Sequence, residues 1–161
     1  MTPPFPAVVF DLDGTLTVPG TTRPAPGVVA LVEALHARDV PLAVATSASV
    51  RVARRVLDDL GIGRCVTEVA GRGLDGGFGG SGGSGGKEAV VGEALLGLGV
   101  TAAEPGTPLL GDSPVDLHAA AAHGLIPVGV AWGGTPTDAL RAAGARAVLE
   151  HPDELWVLGA S

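Results

Sequence analysis

The chain has 161 residues, 46% hydrophobic and only 3% aromatic, enough for one domain whose core is built from Val, Leu and Ala rather than rings. Ten Lys plus Arg against 17 Asp plus Glu give a net charge of −7, which repels polyanions and lacks the basic stripe of a nucleic-acid binder. No apolar stretch approaches the roughly 20 residues that span a bilayer, the first residues lack the features of a signal peptide, and the single cysteine, Cys65, excludes an intrachain disulfide, so a soluble cytoplasmic protein without nucleic-acid or membrane partners is expected.

Ala7-Val8-Val9-Phe10 is an unbroken apolar run of the kind a strand buried on both faces requires. Val28, Leu31, Val32 and Leu35 then recur at helical spacing, with Pro26 near the helix start and Asp39 at its end. Pro41 to Ala45 reads as a second strand, ending at Thr46. The next helix spans about Val50 to Leu60, with Val52, Val56 and Leu60 on one face, Arg54/Asp58 and Arg55/Asp59 as charge pairs, and Gly61 closing it. Cys65 to Ala70 suggests a third strand. A helix from about Lys87 to Leu98 leads to a strand at Pro108 to Leu110. Helix Pro114 to His123, strand Ile126 to Val130, helix Thr137 to Ala143 and strand Ala147 to Leu149 complete the alternation. That alternation specifies a doubly wound α/β fold, a mostly parallel sheet with helices on both faces, because parallel strands need crossover connections.

Residues 76–86, Gly-Gly-Phe-Gly-Gly-Ser-Gly-Gly-Ser-Gly-Gly, differ in kind from their surroundings and read as a flexible coil within a single domain, 1–161. An engineered Gly-Ser linker and a natural Gly-rich loop both fit. A phosphate-binding P-loop does not, because the position five before Gly86 is Ser81 and Lys87 is followed by Glu88.

Four short pieces carry chemistry: Asp11-Leu12-Asp13-Gly14-Thr15-Leu16, Thr46-Ser47, Lys87, and Gly111-Asp112-Ser113-Pro114-Val115-Asp116. The acids fall at the carboxyl ends of strands, where open α/β sheets bind ligands. Residues two apart in an extended chain project the same way, so Asp11 and Asp13 should face one space before Gly14 turns the chain. Carboxylates gathered around a phosphate repel one another unless a cation joins them, and oxygen-only ligands suit Mg²⁺. Ser113-Pro114-Val115-Asp116 also reads as a capped helix start, so Asp116 supports the metal or Lys87, or only the helix end. Thr46 and Ser47 offer a hydroxyl and backbone N–H groups to a phosphoryl oxygen; a plain helix cap is the alternative.

This ordered set resembles the haloacid dehalogenase-like hydrolase superfamily, with its DxDGT, Thr or Ser, Lys and GDxxxD motifs. The resemblance implies a phosphate monoesterase in which Asp11 attacks phosphorus to form an aspartyl-phosphate. Asp13 then serves as general acid and later base, and Thr46, Ser47 and Lys87 hold the phosphoryl group. It assigns Mg²⁺ to Asp11, the main-chain carbonyl of Asp13 and Asp112, with Ser113 and Asp116 in support. In relatives the Lys is often followed by Pro, which is Glu88 here. The ten residues from Thr17 to Pro26 and the glycine-rich stretch before Lys87 leave no room for the family's cap domain. Once a lid is skipped, Pro24 to Val28 and Val128 to Gly133 are similar to phosphoglycolate-phosphatase-like members. An uncapped site goes with a phosphorylated small molecule or a bulkier phosphorylated substrate, or with a homo-oligomer whose neighbouring subunit covers the mouth. A receiver-like phospho-acceptor module uses similar groups but places its acidic pair first and its phosphorylated Asp on a middle strand. A non-catalytic or engineered scaffold of the same fold is the other rival. His36, His118, His123 and His151 lack metal-ligand spacing, Trp132 and Trp156 read as packing, and Arg51 as a solvated helix face.

Overall fold

The computed structural model describes residues 3–72, 86–100 and 106–159. Six strands, β1 (Val8–Phe10), β2 (Leu42–Ser49), β3 (Glu68–Arg72), β4 (Pro108–Gly111), β5 (Ile126–Val130) and β6 (Ala147–Leu149), form one sheet in the order β3-β2-β1-β4-β5-β6. Every pairing is parallel. The helices are α1 (Val28–Ala37), α2 (Val50–Asp59), α3 (Gly86–Leu98), α4 (Pro114–Ala122), α5 (Thr137–Ala142) and α6 (Leu155–Gly159). Of the Gly/Ser-rich segment 76–86, only Gly86, which opens α3, lies within the described residues. Those residues contain no separate cap domain, and none of their helices is long and apolar enough to cross a membrane.

Alternation along the strands builds two cores. Val8, Phe10, Leu42 and Val44 face α1 and α2, where Val28, Leu31, Leu35, Ala53 and Leu57 meet them. On the other face, Val9, Ala43 and Ala45 meet Val91, Ala94 and Leu95 of α3 and Ala119 and Ala120 of α4. Each fully buried Val or Leu contributes about 1.5–3 kcal/mol, so both faces hold their helices firmly.

Four elements differ from the sequence expectation. Strand β2 continues to Ser49, because Arg72 of β3 pairs with it. Residues Gly63–Cys65 form a 3₁₀ turn, so β3 starts at Glu68 and not at Cys65. On α2, Ala53, Val56 and Leu57 are buried while Val52 is 53% exposed. The inward stripe follows the i, i+3, i+4 rule from Ala53, which puts Val52 to its side. The C-terminal helix α6, whose Leu155 is fully buried, carried too short a pattern to be read.

Register brings the motifs level. Phe10 pairs with Val44 on one side and Leu110 on the other, so Asp11, Ala45 and Gly111 lie side by side, with Thr46 and Asp112 one residue further. The strand order reverses between β1 and β4, and the crevice this leaves at the carboxyl edge is where the acids sit.

Candidate active site

Asp11 leaves β1 buried, its N–H donating to the Leu110 carbonyl at 2.9 Å. The chain then coils around the Leu12 carbonyl, which accepts from the N–H groups of Thr15, Leu16 and Thr17. Gly14, at φ +80°, makes that coil, and a side chain there would overlap the Asp112 carboxylate. The motif glycine therefore serves both the turn and the close approach of Asp112. The coil brings Asp13 to the same cleft that Asp11 lines. Asp13 lines the mouth of the cleft, exposed, and its Oδ1 accepts from the Gly20 N–H at 3.0 Å.

Lys87 is buried in the first turn of α3. Its Nζ donates to Asp11 Oδ1 at 2.7 Å and to the Ala45 carbonyl at 2.6 Å, and meets Asp116 Oδ1 at 3.0 Å. All three ammonium protons thus have acceptors. Asp116 is fixed by a capping box: its N–H donates to Ser113 Oγ, while its Oδ2 accepts from the Ser113 N–H and hydroxyl. Both roles considered for Asp116, helix end and Lys87 partner, are present together. Burial alone would lower the Lys87 pKa, but the charges of Asp11 and Asp116 outweigh it and hold it above its ordinary value.

Carboxylate oxygens of Asp11, Asp112 and Asp116 lie within 4.8 Å of one another. Burial pushes the Asp11 carboxyl up to about 7; Asp116 and Asp112 add to the rise and Lys87 opposes it. Asp112 is raised too, by burial and then by the charge of Asp116. Three acids against one ammonium leave a local excess of negative charge, and the donors are all oxygen. That set fits a hard divalent cation such as Mg²⁺. Asp116 has both oxygens engaged, so Asp11 and Asp112 are the groups placed to hold one, with Asp116 behind them.

The cleft has a volume of about 410 Å³ and is lined by Asp11, Asp13, Thr46, Ser47, Lys87 and Asp112 among others. A larger cavity of about 630 Å³, between α1 and α6, contains none of these groups. Thr46 is buried, and its Oγ1 accepts from the Ala48 N–H at 3.1 Å. It is not a helix cap, since Ser49 fills that role for α2 through the Val52 N–H. Ser47 is exposed at the rim.

Two contacts escaped the sequence. The Ala45 carbonyl is a main-chain group that no motif reports. Trp132, which read only as packing, donates from Nε1 to the Thr15 carbonyl at 2.8 Å. The next residue, Gly133, lies so close that a methyl on it would overlap Asp112 and stand 2.6 Å from the Gly14 carbonyl. A Trp-Gly pair just past a predicted strand was the available signal.

The fold is similar to that of a predicted phosphatase from Clostridium acetobutylicum, with a TM-score of 0.81 and 21% identity over 95% of this chain and 97% of that one. It is also similar to a predicted phosphoglycolate phosphatase from Haemophilus somnus 129pt (TM-score 0.77, 18% identity, 98% of this chain and 99% of that one). A haloacid dehalogenase-like family hydrolase from Streptococcus pneumoniae gives 0.78 at 16% identity, over 96% of this chain and 98% of that one. No curated protein matches the chain. The family model described as haloacid dehalogenase-like hydrolase matches residues 18–121, well over half the chain, and begins just after the Asp11 motif, so the match and that motif are separate observations. The chain belongs to the haloacid dehalogenase-like hydrolase family.

Proposed function

We propose that the chain is a Mg²⁺-dependent phosphomonoesterase working through an aspartyl-phosphate. The observation that carries this reading is the buried ion pair of Lys87 with Asp11 and Asp116, with Asp112 within 4.8 Å of the two acids. Lys87 holds one oxygen of Asp11 and thereby orients the carboxylate, leaving its other oxygen to attack phosphorus. As the Asp11 O–P bond forms, the bond to the leaving oxygen breaks, and Asp13 at the mouth gives that oxygen a proton. Water then attacks the phosphorus of the aspartyl-phosphate, Asp13 takes a proton from it, and inorganic phosphate leaves with Asp11 restored. Thr46 and Ser47 would hold the phosphoryl oxygens. A divalent cation on Asp11 and Asp112 would offset their repulsion for each other and for the dianionic substrate.

The exposed rim at Asp13, Ser47 and Val115 suits a bulkier phosphorylated substrate, or a small phosphate ester with a second subunit covering the mouth. Phosphate release from an aryl phosphate with Mg²⁺ tests the proposal, with Asp11→Asn as control. A fall of at least about 10³-fold is expected on losing a nucleophile. Equal rates in the two proteins would remove Asp11 from that role, and cation binding without turnover of any ester would select the non-catalytic scaffold.

A further inference from the structure

Helix α3 carries Lys87 in its first turn, and two side chains of α4 reach that turn. One is Asp116, on Lys87 Nζ. Two helical turns later, on the same side of α4, is His123, which ends the helix. Its Nε2 stands 2.7 Å from the carbonyl oxygen of Glu88, the residue next to Lys87. A carbonyl only accepts, so Nε2 carries the proton and donates it. Between Asp116 and His123, the buried Ala119 and Ala120 are small enough to let the helices come close.

The α3 side is shaped to match. Gly92 sits one turn after Glu88, and a methyl on it would lie 3.1 Å from His123 Cε1. The imidazole fills the notch left by the missing side chain. Glycine inside a helix is unfavourable relative to alanine, and here it is what admits the ring to the backbone.

We propose that His123 is a positioning residue for Lys87. By holding the Glu88 carbonyl it fixes the first turn of α3 against α4, so that the ammonium stays between Asp11 and Asp116. Its kinetic consequence rests on the phosphomonoesterase reading; its effect on Lys87 does not. Lys87 is the only lysine in the chain, so reductive methylation followed by mass spectrometry reports its accessibility without interference from other lysines.

In His123→Ala, methylation of Lys87 should quicken about five-fold, the scale of one lost hydrogen bond, and His123→Gln, whose amide can donate, should return it toward the wild-type rate. With an aryl phosphate and Mg²⁺, kcat should fall about three- to ten-fold with little change in KM, and His123→Ala should cost nothing further in a Lys87→Ala background. Unchanged methylation in His123→Ala, or an undiminished penalty in the Lys87→Ala background, would overturn the proposal. Should His123→Ala not fold, Gly92→Ala, which crowds the ring from the other side, is measured in the same way. If the wild-type protein releases no phosphate, the functional reading fails by itself and the methylation rates still decide the role of His123.

Discussion

Gly133→Ala tests how tightly the acid cleft is assembled. Gly133 lies in the turn after β5 with a φ that any residue tolerates, so the only penalty of a methyl is the space it takes. That space is occupied: the added carbon would overlap Asp112 and stand 2.6 Å from the Gly14 carbonyl. Ordinary contacts to carbon need about 3.5 Å, so Asp112, the Gly14 turn or both must move by about an ångström. Overpacking of this kind costs about 1–3 kcal/mol of stability. A displacement of about 1 Å at a reacting group costs on the order of 10²-fold in rate. Its neighbour provides the control. Gly134→Ala meets nothing within 4 Å but must adopt φ +98°, so it loses a comparable amount of stability to backbone strain without touching Asp112. Thermal denaturation should therefore show both variants destabilised. Steady-state phosphate release, with Mg²⁺ titrated, should show a large loss of kcat and weaker Mg²⁺ dependence in Gly133→Ala only. Equal kinetic losses in the two variants would refute the claim that Gly133 acts through Asp112.

Further predictions concern pH and the tryptophan. Burial raises Asp11 to about 7, above its unfolded value, so in metal-free protein the neutral acid favours the folded state; that stability is present below the unfolded pKa and is lost as pH rises through about 7. Mg²⁺, which needs the ionised carboxylate, should then raise Tm more at about pH 8 than at about pH 5. Calorimetric scans giving equal Mg²⁺ shifts at both values would contradict this. Trp132→Phe keeps an aromatic ring at this position but removes the hydrogen bond to the Thr15 carbonyl together with part of the indole, and should lower stability by at least about 1 kcal/mol in denaturant unfolding. An unchanged unfolding midpoint would mean the bond contributes nothing.

The sheet was legible because its signals are local. Val8 to Phe10, Ile126 to Val130 and Ala147 to Leu149 are short apolar runs set off by turn residues, and the structure's strands coincide with them to within a residue. Boundaries set by a neighbour were not legible: β2 is extended by its pairing with β3, a long-range contact with no mark at Ser49. The same division holds in the cleft. The acids and Lys87 were readable because their side chains suit the chemistry, and Asp116 could be read as cap and partner at once. The Ala45 carbonyl is the same group in every residue. The side chain of Asp13 follows a hydrogen bond to the Gly20 N–H that depends on how the loop closes.

The alanines on one face of the sheet separate two tasks. With Ala43 and Ala45 on the sheet and Ala119 and Ala120 on α4, methyl groups let the helices lie close to the strands, and Val9, Val91 and Leu95 fill the rest of that face. The charges seated on that face, Asp11, Lys87 and Asp116, are buried at the floor of the cleft, whereas Ser47, Val115 and Asp13 ring its opening and are exposed. Of that ring Val115 alone has no part in the proposed chemistry, so a substitution there can redraw what docks at the mouth while the foundation under the reacting groups is left undisturbed, and selectivity and rate are free to diverge.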